Sequence, residues 1–151
     1  MRPRMINLAN AGDRDAYIQK LHAWDAAGEC PLCEKGLREA GNEILRVSNG
    51  WQLITSKFPY KNTDQHLLIL PTKHVDSFRE ITGDDFVTVQ SLLLWAVEHF
   101  QMPGGGLTLR FGDLDYSGAT ISHVHFHIIV PSFNQSTALP YLVNFSLGRK
   151  E

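Results

Sequence analysis

The segment Ser122-His123-Val124-His125-Phe126-His127-Ile128-Ile129-Val130-Pro131 constrains the fold of this chain more than any other, because histidine alternates in it strictly with apolar residues. A period of two belongs to a strand with two unlike faces, on which side chains at i, i+2 and i+4 project to one side at intervals of about 6 to 7 Å. The pattern predicts a strand over 122–130, with three imidazoles along one face and Val124, Phe126 and Ile128 turned into a core.

The flanking sequence supplies the other elements. Ala16, Tyr17, Leu21 and Trp24 recur at helical spacing and predict a helix over 13–27, stopped by Gly28. Cys30-Pro31-Leu32-Cys33 reads as a turn-like knuckle, followed by a short helix over 34–40 that Gly41 ends, and this N-terminal piece reads as an appendage. Residues 43–47 and 51–55 are β-rich and joined through Asn49-Gly50, a hairpin signal. After a polar, turn-rich stretch, His66 to Pro71 is a continuous apolar run suited to a central strand. Phe86, Val89, Leu93, Val97 and Phe100 predict a long helix over 84–100, and residues 107–111 a further strand, joined to the histidine strand by the 112–120 loop. This order implies an α+β fold with a mainly antiparallel sheet covered on one face.

A length of 151 residues without repeats or linkers fits one domain. It divides into an N-terminal helix and knuckle at 1–42, a core at 43–131 and a tail at 132–151. Hydrophobic residues at 43% and charged residues at 20% exclude a disordered or fibrous chain. A net charge of -2 and the lack of a basic run argue against a nucleic acid as partner. No apolar stretch reaches the roughly 18 residues that span a bilayer, and Met1-Arg2-Pro3-Arg4-Met5 lacks an apolar export segment, so a cytoplasmic protein is expected.

Three titratable rings on one strand face point to function, since a surface strand has no structural need of them. The spacing admits two chemistries. Histidine is the usual nitrogen ligand of zinc, so H-x-H could hold a catalytic metal. A neutral imidazole can also attack phosphorus while its neighbours move protons, its ordinary pKa of about 6.5 placing both forms within reach near neutrality. The two cysteines, Cys30 and Cys33, point in a cytosolic chain to metal or redox use rather than a structural disulfide.

At His123 to Ile129 the chain resembles the histidine-triad (HIT) superfamily, whose signature is His-φ-His-φ-His-φ-φ with φ apolar. His66-Leu67-Leu68-Ile69-Leu70-Pro71-Thr72-Lys73-His74 is similar to the family's central strand with its Pro-x-x-His exit. The resemblance implies a HIT-like fold, a five-stranded antiparallel sheet with one long helix and an N-terminal helical, zinc-knuckle extension. It also implies a homodimer that pairs the 84–100 helices and extends the sheet. The implied nucleophile is His125, with His127 on the scissile phosphate and leaving group. A structural zinc is implied at Cys30, Cys33, His74 and His123, a closed two-thiolate, two-imidazole set.

Gly118-Ala119-Thr120 stands where the family commonly has Gly-Gln-Ser or Gly-Gln-Thr, a loop that holds phosphate oxygens, so Thr120 is expected to supply the hydroxyl. Ala119 lacks the amide of many relatives, and Arg110 stands where an asparagine is usual; its guanidinium offers a bidentate phosphate grip. Asn62, in Phe58-Pro59-Tyr60-Lys61-Asn62, is the expected ribose or phosphate contact. His22 and His99 are assigned no role, and Trp24, Trp51 and Trp95 read as core or interface.

The expected function is hydrolysis or transfer at a phosphoanhydride or phosphoramidate of a nucleotide, through a nucleotidyl-histidine intermediate. A nucleotide-binding module with weak or no catalysis is the alternative. Metal-dependent hydrolysis through H-x-H and a DNA-repair de-adenylating enzyme are weighed behind them, the acidic balance opposing the last.

Overall fold

In the computed structural model, residues 4–11 and 15–149 are described. The first turn expected of the N-terminal helix, at Asp13 and Arg14, and the extreme ends at 1–3 and 150–151 lie outside them. The elements are α1 (Asp15–Ala27), α2 (Glu34–Ala40), β1 (Ile44–Ser48), β2 (Trp51–Thr55), β3 (Thr63–Pro71), α3 (Gly83–His99), β4 (Gly106–Leu109), α4 (Leu114–Ser117), β5 (Phe126–Pro131), β6 (Phe133–Asn134) and β7 (Leu139–Pro140).

Five strands form one antiparallel sheet in the order β1-β2-β3-β5-β4. The β1-β2 turn has Asn49 at φ 47° and Gly50 at φ 77°, the two left-handed residues that let a two-residue turn follow the strands' twist. β3 pairs with β5 so that Leu68 opposes His127 and His66 opposes Ile129. Directly opposed residues share a face, so this register puts His66 beside His127.

One face of the sheet carries Trp51, Leu53, Leu67, Ile69, Phe126 and Ile128, packed against Val89, Leu92 and Ala96 of α3. Thr82 caps α3 reciprocally with Asp85, whose carboxylate also accepts from the Trp51 indole at 2.9 Å. Phe86, one of the apolar residues whose spacing predicts this helix, is 43% exposed. The opposite face buries Ile54, Leu68 and Leu70 against Ile6, Leu21, Leu32 and Leu37. The sheet is therefore covered on both faces, which corrects the expectation of one: the presumed N-terminal appendage is the second layer. Gly36 makes the approach of α2 possible, since a Cβ there would lie 2.3 Å from the Pro31 carbonyl oxygen.

The histidine strand begins at Phe126, not at Ser122. Upstream, the backbone N–H groups of Ser122 and Val124 donate to Met5 O and Val75 O, both at 2.7 Å. Those carbonyls belong to other segments, so the chain leaves the sheet there although its apolar-polar alternation continues. β4 likewise ends at Leu109, which frees Arg110 from the strand. The C-terminal tail forms the β6-β7 hairpin and then runs back over Tyr116 and Gly118.

Candidate active site and metal centre

The three triad histidines divide between two sites. His123 Nδ1 lies 3.5 Å from Cys30 Sγ and 3.7 Å from Cys33 Sγ, and Cys33 Sγ lies 3.4 Å from His74 Nδ1. All four donor atoms fall within 4.8 Å of one another, so the group could hold a metal ion. A tetrahedral zinc with bonds of about 2.3 Å to sulfur and 2.0 to 2.1 Å to nitrogen spaces its sulfur and nitrogen ligands about 3.6 Å apart. The observed spacings bracket that distance, so the residues fit the ion.

The second nitrogen of His123 supports the same fit: Nε2–H donates to Pro71 O at 3.1 Å, which leaves the Nδ1 lone pair facing the thiols. Burial pulls the His123 imidazole down to about 4 and pushes the Cys30 thiol up to about 12, with Cys33 beside it adding to the rise. His123 is thus neutral, the form that ligates. For Cys30 the backbone N–H groups of Leu32 and Cys33 favour the thiolate but do not overcome burial, and a cation at this position would add to them.

His125 carries the opposite nitrogen pattern. Its Nδ1–H donates to the backbone carbonyl of His123, so Nε2 keeps its lone pair. Burial lowers its pKa below the ordinary value, partly opposed by that carbonyl, and the charge of Arg110 lowers it further. The ring is therefore held neutral. His127 lies 4.8 Å away, centroid to centroid. A hydrogen-bond chain sets its tautomer: Tyr60 N–H donates to His66 Nδ1 at 3.0 Å, so His66 carries its proton on Nε2, 2.9 Å from His127 Nδ1. A neutral His127 then bears its proton on Nε2. The pair comprises one nitrogen with a lone pair able to attack and one N–H able to donate a hydrogen bond.

Both rings line a narrow, mainly apolar cavity of about 110 Å³ between the sheet and the N-terminal helices, with Tyr17, Lys20, Trp24 and Phe58 on its far wall. Arg110 and Thr120 stand on its edge. The Thr120 hydroxyl donates to Asn10 O at 3.2 Å, and Ala119 gives its N–H to Ser117 Oγ at 3.2 Å. Arg110 does not point to bulk water. Its Nη2 and Nε donate to Ser146 O at 2.7 and 3.2 Å, its Nη1 to Tyr60 Oη at 3.1 Å, and its plane covers the Phe145 ring at 3.7 Å. Asn62 Nδ2 donates to Leu142 O at 3.3 Å.

Arg110, Thr120, His125 and His127 are thus brought together on one cavity, and Asn62, Arg110, Gly118 and Thr120 on a neighbouring one. Ala119 is buried and lines neither. Sequence reasoning placed Tyr60 only within a segment resembling a nucleoside-pocket wall and gave no role to His66 or the tail residues Phe145 and Ser146. For His66 a signal existed, a lone histidine opening an apolar strand; nothing local marked Phe145 and Ser146.

A family model described as "HIT domain" matches residues 51–134. An uncharacterized HIT-like protein of Chlamydia trachomatis is 29% identical over 94 residues, 60% of this chain and 84% of that protein. A bis(5'-adenosyl)-triphosphatase of Dictyostelium discoideum is 32% identical over 68 residues, 42% of this chain and only 44% of the enzyme's length. Among solved structures, a hypothetical histidine triad nucleotide-binding protein of Sulfolobus tokodaii superposes with a TM-score of 0.56 at 20% identity, covering 81% of this chain and 80% of that one.

Proposed function

Because the chain belongs to the HIT domain family, whose model matches more than half of it, we propose that it is a nucleotidyl hydrolase or transferase acting through a nucleotidyl-histidine intermediate. The observation that carries this reading is the complementary proton placement on His125 and His127 at the mouth of one cavity. The Dictyostelium relative's name, a dinucleoside triphosphatase, points to the same bond class.

In the proposed reaction the planar base enters the apolar slot and the α-phosphate stands before His125. The Nε2 lone pair attacks phosphorus, and the bond from phosphorus to the bridging oxygen or nitrogen breaks toward the leaving group. His127 steadies that group with a hydrogen bond donated from Nε2–H. Water then attacks the phosphorus, the phosphorus-nitrogen bond breaks with its electron pair returning to His125 Nε2, and the proton lost by water passes to solvent, which releases a nucleoside monophosphate and restores His125. The Arg110 guanidinium offsets charge on the phosphoryl oxygens, with Thr120 and Gly118 beside it. Depressing the His125 pKa keeps the attacking lone pair available, at the cost of a less basic nucleophile.

Zinc is the metal proposed for Cys30, Cys33, His74 and His123, since two thiolates and two imidazoles make a closed structural set. It would pin the knuckle to the segment that carries His125. A homodimer is proposed on the exposed residues Val87 and Leu94 of α3 and the free edge of β4; Leu94→Glu should halve the mass seen by sedimentation. The protein is proposed to act in the cytoplasm; among the described residues no helix is long and apolar enough to cross a membrane.

The test is intact-protein mass spectrometry after brief mixing with adenine and guanine dinucleoside polyphosphates and phosphoramidates, quenched to preserve phosphohistidine. A nucleotidyl mass on the wild type that is absent from His125→Ala supports the reading. Tight nucleotide binding with no adduct and no product would replace it with the binding-module alternative.

A further inference from the structure

Next to the histidine cavity lies a second chamber, of about 450 Å³, within the range of roughly 300 to 1,000 Å³ in which small-molecule sites fall. It is lined by Asn10, Thr120, Lys61, Asn62 and Arg110, and by the returning tail at Leu142, Asn144, Ser146 and Gly148. The two chambers share Tyr60, Arg110 and Thr120, but His125 and His127 line only the first. A phosphorus atom before His125 would therefore stand at the common wall, with the nucleoside on one side and whatever leaves on the other.

The lining of the second chamber states what it suits. Among the described residues that line it, two are cationic and none is a carboxylate, while amides and hydroxyls make up most of the rest. Its one aromatic wall, Tyr60, already packs on His66 and His127, so a second base would find no free ring to stack on. The acceptors of Arg110 are a carbonyl oxygen, a phenol oxygen and a ring face, which hold the guanidinium in place without cancelling its charge. The tail that holds it is fixed in turn: Gly148 N–H donates to Tyr116 O at 2.8 Å, and a Cβ on Gly118 would lie 2.9 Å from Gly148 O and 3.1 Å from Ser146 O.

We propose that this chamber, lined by Lys61, Asn62 and Arg110 and by the tail at Asn144, is the leaving-group subsite and takes an anionic, hydroxyl-bearing group. The phosphates of a polyphosphate chain and a sugar phosphate share that chemistry; a second nucleobase or a cationic amine does not. The assignment rests on the nucleotidyl-transfer reading above. The leaving group departs with the electron pair of the broken phosphorus-oxygen bond and receives a hydrogen bond from His127 Nε2–H, so its negative charge grows where the two cations stand.

The experiment is a calorimetric titration of the full chain, saturated with AMP to fill the nucleoside side, with pyrophosphate in one arm and glucose 1-phosphate in the other. Lys61→Ala and Asn144→Ala are compared with wild type, and Arg46→Ala, an exposed arginine on β1 stacked on Trp95, is the control. The wild type should bind at least one anion and lysine amide not at all; Lys61→Ala should weaken the anion by ~10-fold, as a lost charge-assisted contact does, and Arg46→Ala should leave it unchanged. The arm that binds more tightly identifies polyphosphate or sugar phosphate as the source. In turnover, Lys61→Ala should lower kcat/KM about 10-fold for ADP-glucose, with kcat falling, relative to an adenosine phosphoramidate of lysine. Absence of anion binding in wild type, or equal losses for both leaving groups, would overturn the subsite. An adenylyl adduct without anion binding removes the subsite alone, whereas anion binding without any adduct removes the nucleotidyl-transfer reading and with it the leaving-group role.

Discussion

His123 and His125 are two residues apart and chemically identical, yet their surroundings make opposite use of them. At His123 the Nε2–H is given to Pro71 O and Nδ1 faces two thiols; at His125 the Nδ1–H is given to the His123 carbonyl and Nε2 faces the cavity. In each case the nitrogen that is tied by a backbone carbonyl determines what the other nitrogen can do. One region is closed around its four ligand atoms, and the other opens on a cavity lined by helices. Residue type indicates that chemistry is present, and the hydrogen bond on the far nitrogen indicates which chemistry.

The division is tested most severely at His125. Replacing it with alanine should lower kcat by ~10⁴-fold or more, as loss of a nucleophile does, while the melting temperature moves little; a fully active variant would break the comparison at its centre. Stripping metal with a chelator, or making Cys30→Ser, should act the other way, lowering the melting temperature by roughly 10 °C in a chain of this size. Activity lost at unchanged thermal stability would show that the thiol-imidazole group serves the reaction directly.

His66→Ala sharpens the open side of the comparison. It removes the group that fixes the proton of His127, so kcat should fall about 10- to 100-fold with KM little changed. A change confined to KM would assign His66 to substrate binding instead. The smallest effect belongs to a residue outside both regions. Asp85→Ala leaves the Thr82 cap but removes its reciprocal half and the acceptor of the Trp51 indole, and should cost about 1 kcal/mol, or 2 to 4 °C in melting temperature, with activity intact.

Asp85 also gives a signed pH dependence. The Thr82 backbone N–H, and after it the Trp51 indole, hold the Asp85 carboxyl below its ordinary value. A group whose pKa is depressed on folding contributes stability above its unfolded pKa, and the contribution disappears as pH falls through the folded value. The gap between wild type and Asp85→Ala in urea unfolding should therefore be full at pH 7 and close in strong acid.

What could be read from sequence was local. The Asn49-Gly50 hairpin, the long helix and the run from Phe126 to Pro131 follow from turn chemistry and periodicity acting over a few residues. Ser122 to Val124 kept the alternation of a strand but not its pairing, because the partners of their N–H groups are Met5 and Val75, distant in sequence. The second core layer was misjudged for a related reason: α1 buries only Leu21 fully and shows a weak apolar stripe, so its packing on Leu68 and Leu70 depends on the fold as a whole. Of the cavity, His125 and His127 announced themselves through a repeated spacing. Tyr60, Phe145 and Ser146 reach it through loops and a returning tail, which follow no period.

The pairing of β3 with β5 has a consequence for handling the protein. A slip of one residue between them would turn His127 from the His66 side to the α3 side, since strand faces alternate, and would displace His123 from the cysteines through the short link between them. Misregistered molecules would thus lose both histidine sites together and leave Cys30, buried in the native fold, open to reagents. Counting thiols that react quickly with a coloured disulfide should then report the inactive fraction of a preparation before any substrate is known.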